Sequence, residues 1–213
     1  MTIRLYLDTC IANDAFLISR AYSREPVGRR DHKQPLGAWI LEYVALYYLL
    51  DLDDQWDLEF GTSNVMLREI SRMKEHTGRT QTKKAWLLDM YDMLLEKVEI
   101  VEEMPTQLHF SLYDPNDLKR QVEAILPHEE DVNHICHAIL GNWDRFITTD
   151  KESILAHADR LKSVGIIATS PLKFLESQFM PLGVLLRTLH GPQTSVYDVA
   201  KWWIHQIRDV TEE

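Results

Sequence analysis

The chain has 213 residues, 45% of them hydrophobic and 26% charged, with a formal net charge of −10. A chain of this length buries roughly 70% of its extended surface on folding, enough for a true core, and the composition excludes collagen-like, low-complexity and disordered classes. The acidic balance disfavours a protein that coats duplex nucleic acid, and two cysteines, Cys10 and Cys136, make neither a disulfide framework nor a four-thiolate zinc site. The N-terminal residues MTIRLYLDT have no signal-peptide layout, and the longest apolar run, Leu36 to Leu50, is too short for a membrane span and contains Glu42. A reduced, cytoplasmic protein with no membrane partner is expected.

In chain order, Ile3 to Leu7 reads as a short apolar strand ending at Asp8. Ile11 to Tyr22 reads as a helix, and residues 23–35 as a polar, basic loop. Leu36 to Leu50 is a helix that is apolar nearly all round, so it belongs in a core or an interface. Residues 51–57 are acidic and turn-like. Trp56 to Phe60 alternates with period two, which predicts an edge-like strand. Ser63 can cap a helix over 64–76, and a second helix is expected over 81–96. Val98 to Val101 is a strand and 102–116 a mixed loop. Helices follow at 117–126 and 129–142, a strand at Arg145 to Thr149, a helix at 151–163, a strand at Val164 to Thr169, a helix at 171–179 and a last helix near 195–209. Alternating strands and helices predict an α/β fold with a mostly parallel central sheet and helices on both faces. In such folds ligands bind at the carboxyl ends of the strands, which directs attention to polar residues just past them.

Four carboxylates stand out on that criterion. Asp8 ends the first strand and Asp150 follows the 145–149 strand. Asp131 lies in the first turn of the 129–142 helix, and Glu69 leans toward the Met66, Ile70 and Met73 stripe of the 64–76 helix. Each has an ordinary structural role open to it, because Asp starts turns and acidic residues suit helix N-termini. Together they repel one another unless a cation is present, and Mg²⁺ or Mn²⁺ prefers such oxygen donors.

The segments YLDT (Tyr6 to Thr9), SNVMLREI (Ser63 to Ile70), DVNHICHA (Asp131 to Ala138), ITTD (Ile147 to Asp150) and SPLKFLE (Ser170 to Glu176), in this order, resemble the PIN-domain nuclease family that includes the VapC-like toxin ribonucleases. The resemblance covers about 3–13, 58–101 and 117–178. It implies a PIN-like α/β/α sandwich over 1–178, with 17–57 as an insertion and 179–213 as a C-terminal helical extension packed on the same domain. Ile154 stands where family members often carry an aromatic residue. The resemblance further implies a metal-dependent ribonuclease, toxin-like or engaged in RNA processing. Asp8, Glu69, Asp131 and Asp150 would hold one or two Mg²⁺ or Mn²⁺ ions, with an antitoxin protein as partner. Thr149 and Ser63 could add hydroxyl contacts, His134 could support the metal site, and Thr148 is expected to pack instead. The alternative is a non-catalytic PIN-fold module that binds RNA or protein.

Rival sites are weaker. A zinc site from His128, His134, Cys136 and His137 conflicts with the helical wheel, which puts Cys136 on the apolar face and His134 and His137 opposite it. The 51–59 stretch lacks the Gly and terminal Glu of a calcium loop. A phosphate-accepting receiver domain would need paired acids where Asp8 is followed by Thr9. Two basic stretches could bind RNA. Residues 68–84 carry six basic residues, including Arg68, Arg72, Arg79 and Lys83, against two acidic ones, and residues 20–33 carry five against two. The nearly uncharged Leu36 to Leu50 helix, with Trp39, Tyr43, Tyr47 and Tyr48, predicts a homodimer, on the argument that one chain could cover only part of its circumference.

Overall fold

A computed structural model describes residues 2–11, 36–72, 84–85, 87–88, 98–101 and 114–200. The expected 11–22 helix beyond its first residue, the 23–35 loop, Met73, most of the 81–96 helix, Arg79 and Lys83 lie outside the described residues.

Five strands form one sheet: β1 (Ile3–Leu7), β2 (Leu58–Ser63), β3 (Val98–Val101), β4 (Arg145–Ile147) and β5 (Ile167–Thr169). Their order is β3-β2-β1-β4-β5, and every pair is parallel. β1 is therefore central. Leu5, Tyr6 and Leu7 are all fully buried although successive side chains point to opposite faces, so the strand is covered on both. The α/β class with a parallel sheet is as expected. One detail differs: β2 is an inner strand between β1 and β3, not an edge. The alternation at Trp56 to Phe60 marks only its partly exposed entry, and the strand continues through Gly61, Thr62 and Ser63, all buried.

The longer helices, with the short α5, are in chain order α1 (Leu36–Asp51), α2 (Asn64–Arg72), α3 (Pro115–Glu123), α4 (Glu129–Leu140), α5 (Ala158–Lys162), α6 (Pro171–Gln178) and α7 (Leu182–His190), and a single helical turn, Asp53–Trp56, stands within the acidic 51–57 stretch expected to be turn-like. The chain divides into two compact units, Met1–Ala12 with Asp54–Thr169 and Asn13–Asp53 with Ser170–Glu213. The first contains the sheet. On the Tyr6 side its core joins Phe146 and Ala168 to Leu118 and Val122 of α3, Val132, Ile135, Cys136 and Ile139 of α4, and Leu161 of α5.

In the second unit α1 packs along α6. Ile40 and residues 42–50 are buried within the single chain, and Leu41 alone among residues 40–50 is exposed. Over residues 40–50 one chain thus covers all of the helix but Leu41, so this stretch does not by itself require a second copy. Glu42 is nearly buried too, and its carboxylate accepts the Leu172 backbone N–H at 2.8 Å, at the start of α6. A carboxylate at a helix N-terminus satisfies an otherwise unpaired donor and meets the positive end of the helix dipole.

Other differences have local causes. β4 ends at Ile147 because Thr148 to Asp150 turn away. The expected 151–163 helix is a turn, then a 3₁₀ segment Leu155–His157, then the short α5. β5 starts later than expected because Gly165 adopts φ 100° in the preceding turn. α7 lies in the stretch expected as a C-terminal helical extension, ahead of the one helix located within it near 195–209. Leu182, Leu185 and Leu186 are its buried i, i+3, i+4 set. The expected helix near 195–209 is present over 196–200, with the remainder outside the described residues. No helix among the described residues is long and apolar enough to cross a membrane.

Trp143 locks α4 to the sheet. Its ring lies against the backbone of Gly61, where a Cβ would come within 2.1 Å of the indole, and the Arg4 guanidinium stacks 4.2 Å from its centre. Gly61→Ala should therefore force this packing apart and cost about 1–3 kcal/mol. A urea denaturation midpoint that does not fall would show that Trp143 is free to move aside.

Candidate functional site

Parallel strands end together, so the residues after β1 and β4 meet at one edge of the sheet. Asp8 N–H donates to the Ile147 carbonyl at 3.1 Å, continuing the β1–β4 ladder by one step. The next residue of that segment, Thr148, donates its hydroxyl to Asp8 Oδ2 at 2.6 Å and accepts the Asp150 N–H at 3.0 Å. Asp150 Oδ1 accepts the N–H groups of Glu152 and Ser153 at 2.9 and 2.8 Å, so it also organises its own turn. Ser153 Oγ donates to Asp131 Oδ2 on α4. On the other side of Asp8, Thr9 Oγ1 lies 3.0 Å from His134 Nε2, which in turn lies 3.7 Å from Glu69 Oε2. All four carboxylates belong to one chain of polar residues: Glu69 reaches through His134 to Thr9, the covalent neighbour of Asp8, and Asp8 reaches through Thr148 and the backbone N–H of Asp150 to the Asp150 turn, whose Ser153 holds Asp131.

Their charges are felt along it. Burial pushes the Asp131 carboxyl up; the Ser153 hydrogen bond opposes this, and the nearby charges of Asp8 and Asp150 add to the rise. Burial also acts upward on Glu69, but contact with His134, the hydroxyl of Thr9 and the charge of Arg72 outweigh it and hold that carboxyl below its ordinary value. Asp8 is almost completely buried. Among the described residues, no three His, Cys, Asp or Glu side chains form a group that could hold a metal ion. The donors are of the kind a hard divalent cation prefers, carboxylate oxygens, and Asp131 lies within reach of the charges of Asp8 and Asp150. The Ser153 hydrogen bond engages only Oδ2 of Asp131, and the turn N–H groups only Oδ1 of Asp150.

The other expected site residues sort as follows. Ser63 is fully buried, accepts the Tyr6 hydroxyl at 2.5 Å and takes the Val65 N–H at 3.3 Å, so its oxygen serves the start of α2. Thr149 faces Cys10, its hydroxyl 3.2 Å from the sulfur. Thr148, expected to pack, is the threonine that holds Asp8; strand alternation stops governing direction once β4 ends. Cys10 Sγ lies 3.0 Å from Asp8 Oδ2. Tyr6, Cys10 and Ser153 escape the sequence reading. The signal for Tyr6 is its place two residues before Asp8, hence on the same face of β1, with a polar tip in an apolar run.

His134 and His137 are both buried, against the wheel, because α4 is covered on every side from residue 134 to 140. No zinc site results: Cys136 sits in the core, where burial raises its thiol to about 11, and His128 is exposed at the helix start. Arg68 and Arg72 are exposed on α2. The Arg68 side chain bonds the Asn64 carbonyl at 3.3 Å, and Arg72 lies 3.9 Å from Glu130 in an exposed pair worth little.

No family model matches the chain, and no curated protein matches it. Among solved structures, the chain is similar to one from VapBC2 of Rickettsia felis bound to a DNA fragment from their promoter. The TM-score is 0.44 and the identity 16%, over 78% of this chain and 98% of that one. A likeness of that size bears on neither activity nor partner.

His137 gives a pH test of the α4 packing. Burial, with the charges of His134 and Arg68, lowers its pKa from 6.5 to about 4. The unfolded chain therefore binds a proton that the folded chain refuses between those values. The stability contribution is complete above pH 6.5 and is lost as pH falls toward 4. His137→Gln should flatten the pH dependence of Tm across that window; an unchanged slope would assign the acid sensitivity to other groups.

Proposed function

We propose that the chain is a metal-dependent ribonuclease whose Asp8, Glu69, Asp131 and Asp150 hold one or two Mg²⁺ or Mn²⁺ ions. The observation that carries this reading is the single polar chain linking the four carboxylates at the carboxyl edge of a parallel sheet. The five ordered sequence segments support it independently. A bound divalent cation would supply the positive charge that activates a water and neutralises the scissile phosphate. The rest is the work of this chain's residues. Thr148 aims Asp8 and Ser153 aims Asp131. The exposed Arg68 and Arg72, on the helix that carries Glu69, offer guanidinium groups to the substrate backbone, with Arg79 and Lys83 extending the basic stretch. An antitoxin partner, and with it a toxin role, is supported by the sequence resemblance alone.

A second reading, a non-catalytic module that binds RNA or protein, is favoured by one observation. Every one of the four carboxylates already has protein partners, and no three of them stand ready as a metal shell. The two readings separate on metal-dependent thermal stabilisation, since a ligand that binds only the native state raises Tm by mass action. Millimolar Mn²⁺ should raise Tm for the nuclease and leave the module unmoved.

Asp8→Asn and Asp150→Asn should each abolish Mn²⁺-dependent RNA cleavage while the far-ultraviolet circular dichroism stays unchanged. Asn keeps the shape but loses the charge that holds a cation. Cleavage that persists in EDTA, or in purified Asp8→Asn, would end the nuclease reading.

Reversing Arg68 and Arg72 to Glu should weaken RNA binding and flatten its salt dependence by about 0.7 in the log–log slope per lost phosphate contact. Mn²⁺ binding should survive. A double variant with the parental salt slope would place the RNA path elsewhere, with residues 20–33 the next candidate.

A further inference from the structure

Tyr6 is fully buried in β1, and its hydroxyl sits where three elements of the carboxylate cluster meet. It donates to Ser63 Oγ at 2.5 Å, at the start of the helix that carries Glu69. It lies 3.0 Å from His134 Nδ1, on the helix that carries Asp131. Its own strand leads two residues later to Asp8. With the phenol hydrogen given to Ser63, the Tyr6 oxygen has a lone pair for the hydrogen on His134 Nδ1. The opposite ring nitrogen, Nε2, is then an acceptor for the Thr9 hydroxyl at 3.0 Å, and Glu69 Oε2 stands 3.7 Å from it. The ring cannot turn without breaking the Tyr6 contact, because His134 is itself only 1% exposed and packs edge-on against Tyr6 and Phe146.

We propose that Tyr6 and His134 are positioning residues for the carboxylate cluster: the Tyr6 hydroxyl fixes the His134 imidazole, and His134 with Thr9 sets where the Glu69 carboxylate stands relative to Asp8. This rests on the nuclease reading above. The arrangement is that of an outer-shell support, in which a buried partner fixes the direction of an imidazole and the imidazole fixes a ligand. A packing role alone would not require the hydroxyl. The Tyr6 ring already stacks on Phe146 at 5.4 Å and meets Trp143 edge-on at 6.2 Å, and phenylalanine would keep both contacts. Nor would packing require Thr9 to present a hydroxyl to the second nitrogen of the same ring.

The test is Mn²⁺ binding to the full chain, read as free Mn²⁺ by electron paramagnetic resonance. Wild type is compared with Tyr6→Phe and with Thr9→Val, which remove one hydroxyl each from opposite sides of His134. Each variant should bind Mn²⁺ about 10-fold or more weakly, the scale of an outer-shell loss. The double variant should lose about as much as one single variant, because both act through the orientation of one ring. Cleavage should recover at saturating Mn²⁺, which a misfolded protein would not do. Should Tyr6→Phe fail to fold, Thr9→Val carries the same comparison. Wild-type binding with unchanged affinity in the folded variants overturns the positioning role and leaves the nuclease reading standing. Absence of Mn²⁺ binding by wild type overturns the nuclease reading and this inference with it.

Discussion

The central strand is flanked by parallel ladders on both sides and buried on both faces, and most of the candidate site depends on that. Parallel pairing makes strands finish at the same edge, so Asp8 after β1 and Thr148 to Asp150 after β4 arrive together without any long-range design of loops. A strand covered above and below has no solvent to satisfy a polar side chain. Tyr6 therefore requires partners for its hydroxyl, and it finds them in Ser63, the last residue of β2 before the helix that brings Glu69, and in His134 of the helix that brings Asp131. The register of β1 against β4 thus sets the position of a carboxylate, a threonine and a tyrosine at once. A one-residue slip of β1 would turn Tyr6 to the other face and shift Asp8 away from Thr148.

The carboxylates are held by groups that donate and carry no charge: hydroxyls on Thr148 and Ser153, and the N–H groups of residues 152 and 153. Hydroxyl and amide partners orient an anion without neutralising it. Asp131 shows the result, since the charges of Asp8 and Asp150 add to burial in raising it. The cluster keeps its demand for positive charge, which a set of arginine salt bridges at the same place would have removed. At the Glu69 end the protein supplies a cation of its own in Arg72, and the His134 imidazole lies beside the same carboxylate.

The strands and most helices are legible in the sequence because their periodicity and capping are local. β1, β3 and α4 fall where apolar runs and turn signals place them. The carboxylates are legible for a related reason: an Asp directly after an apolar strand is conspicuous. What escaped was set by tertiary contact. β2 reads as an edge because its visible alternation lies at its entry, whereas its inner position depends on β3, which pairs with it from 35 or more residues later. His134 and His137 read as the polar side of a helix, and only the packing of Tyr6, Phe146 and α2 turns that side inward. Thr148 escaped because alternation was carried past the strand's end. Ser153 escaped because its partner, Asp131, is 22 residues away.

Each of the two compact units is assembled from segments that are far apart in the chain. In the second, α1 finds its companion α6 only when Leu172 has been made, 130 residues after Glu42. At ordinary elongation speeds that interval is on the order of ten seconds. Throughout it, a helix with apolar side chains on nearly every face is out of the ribosome without the α6 helix that it packs along in the finished fold. Synthesis of this protein therefore creates a stretch of time in which a sticky, aromatic-rich segment must be sheltered.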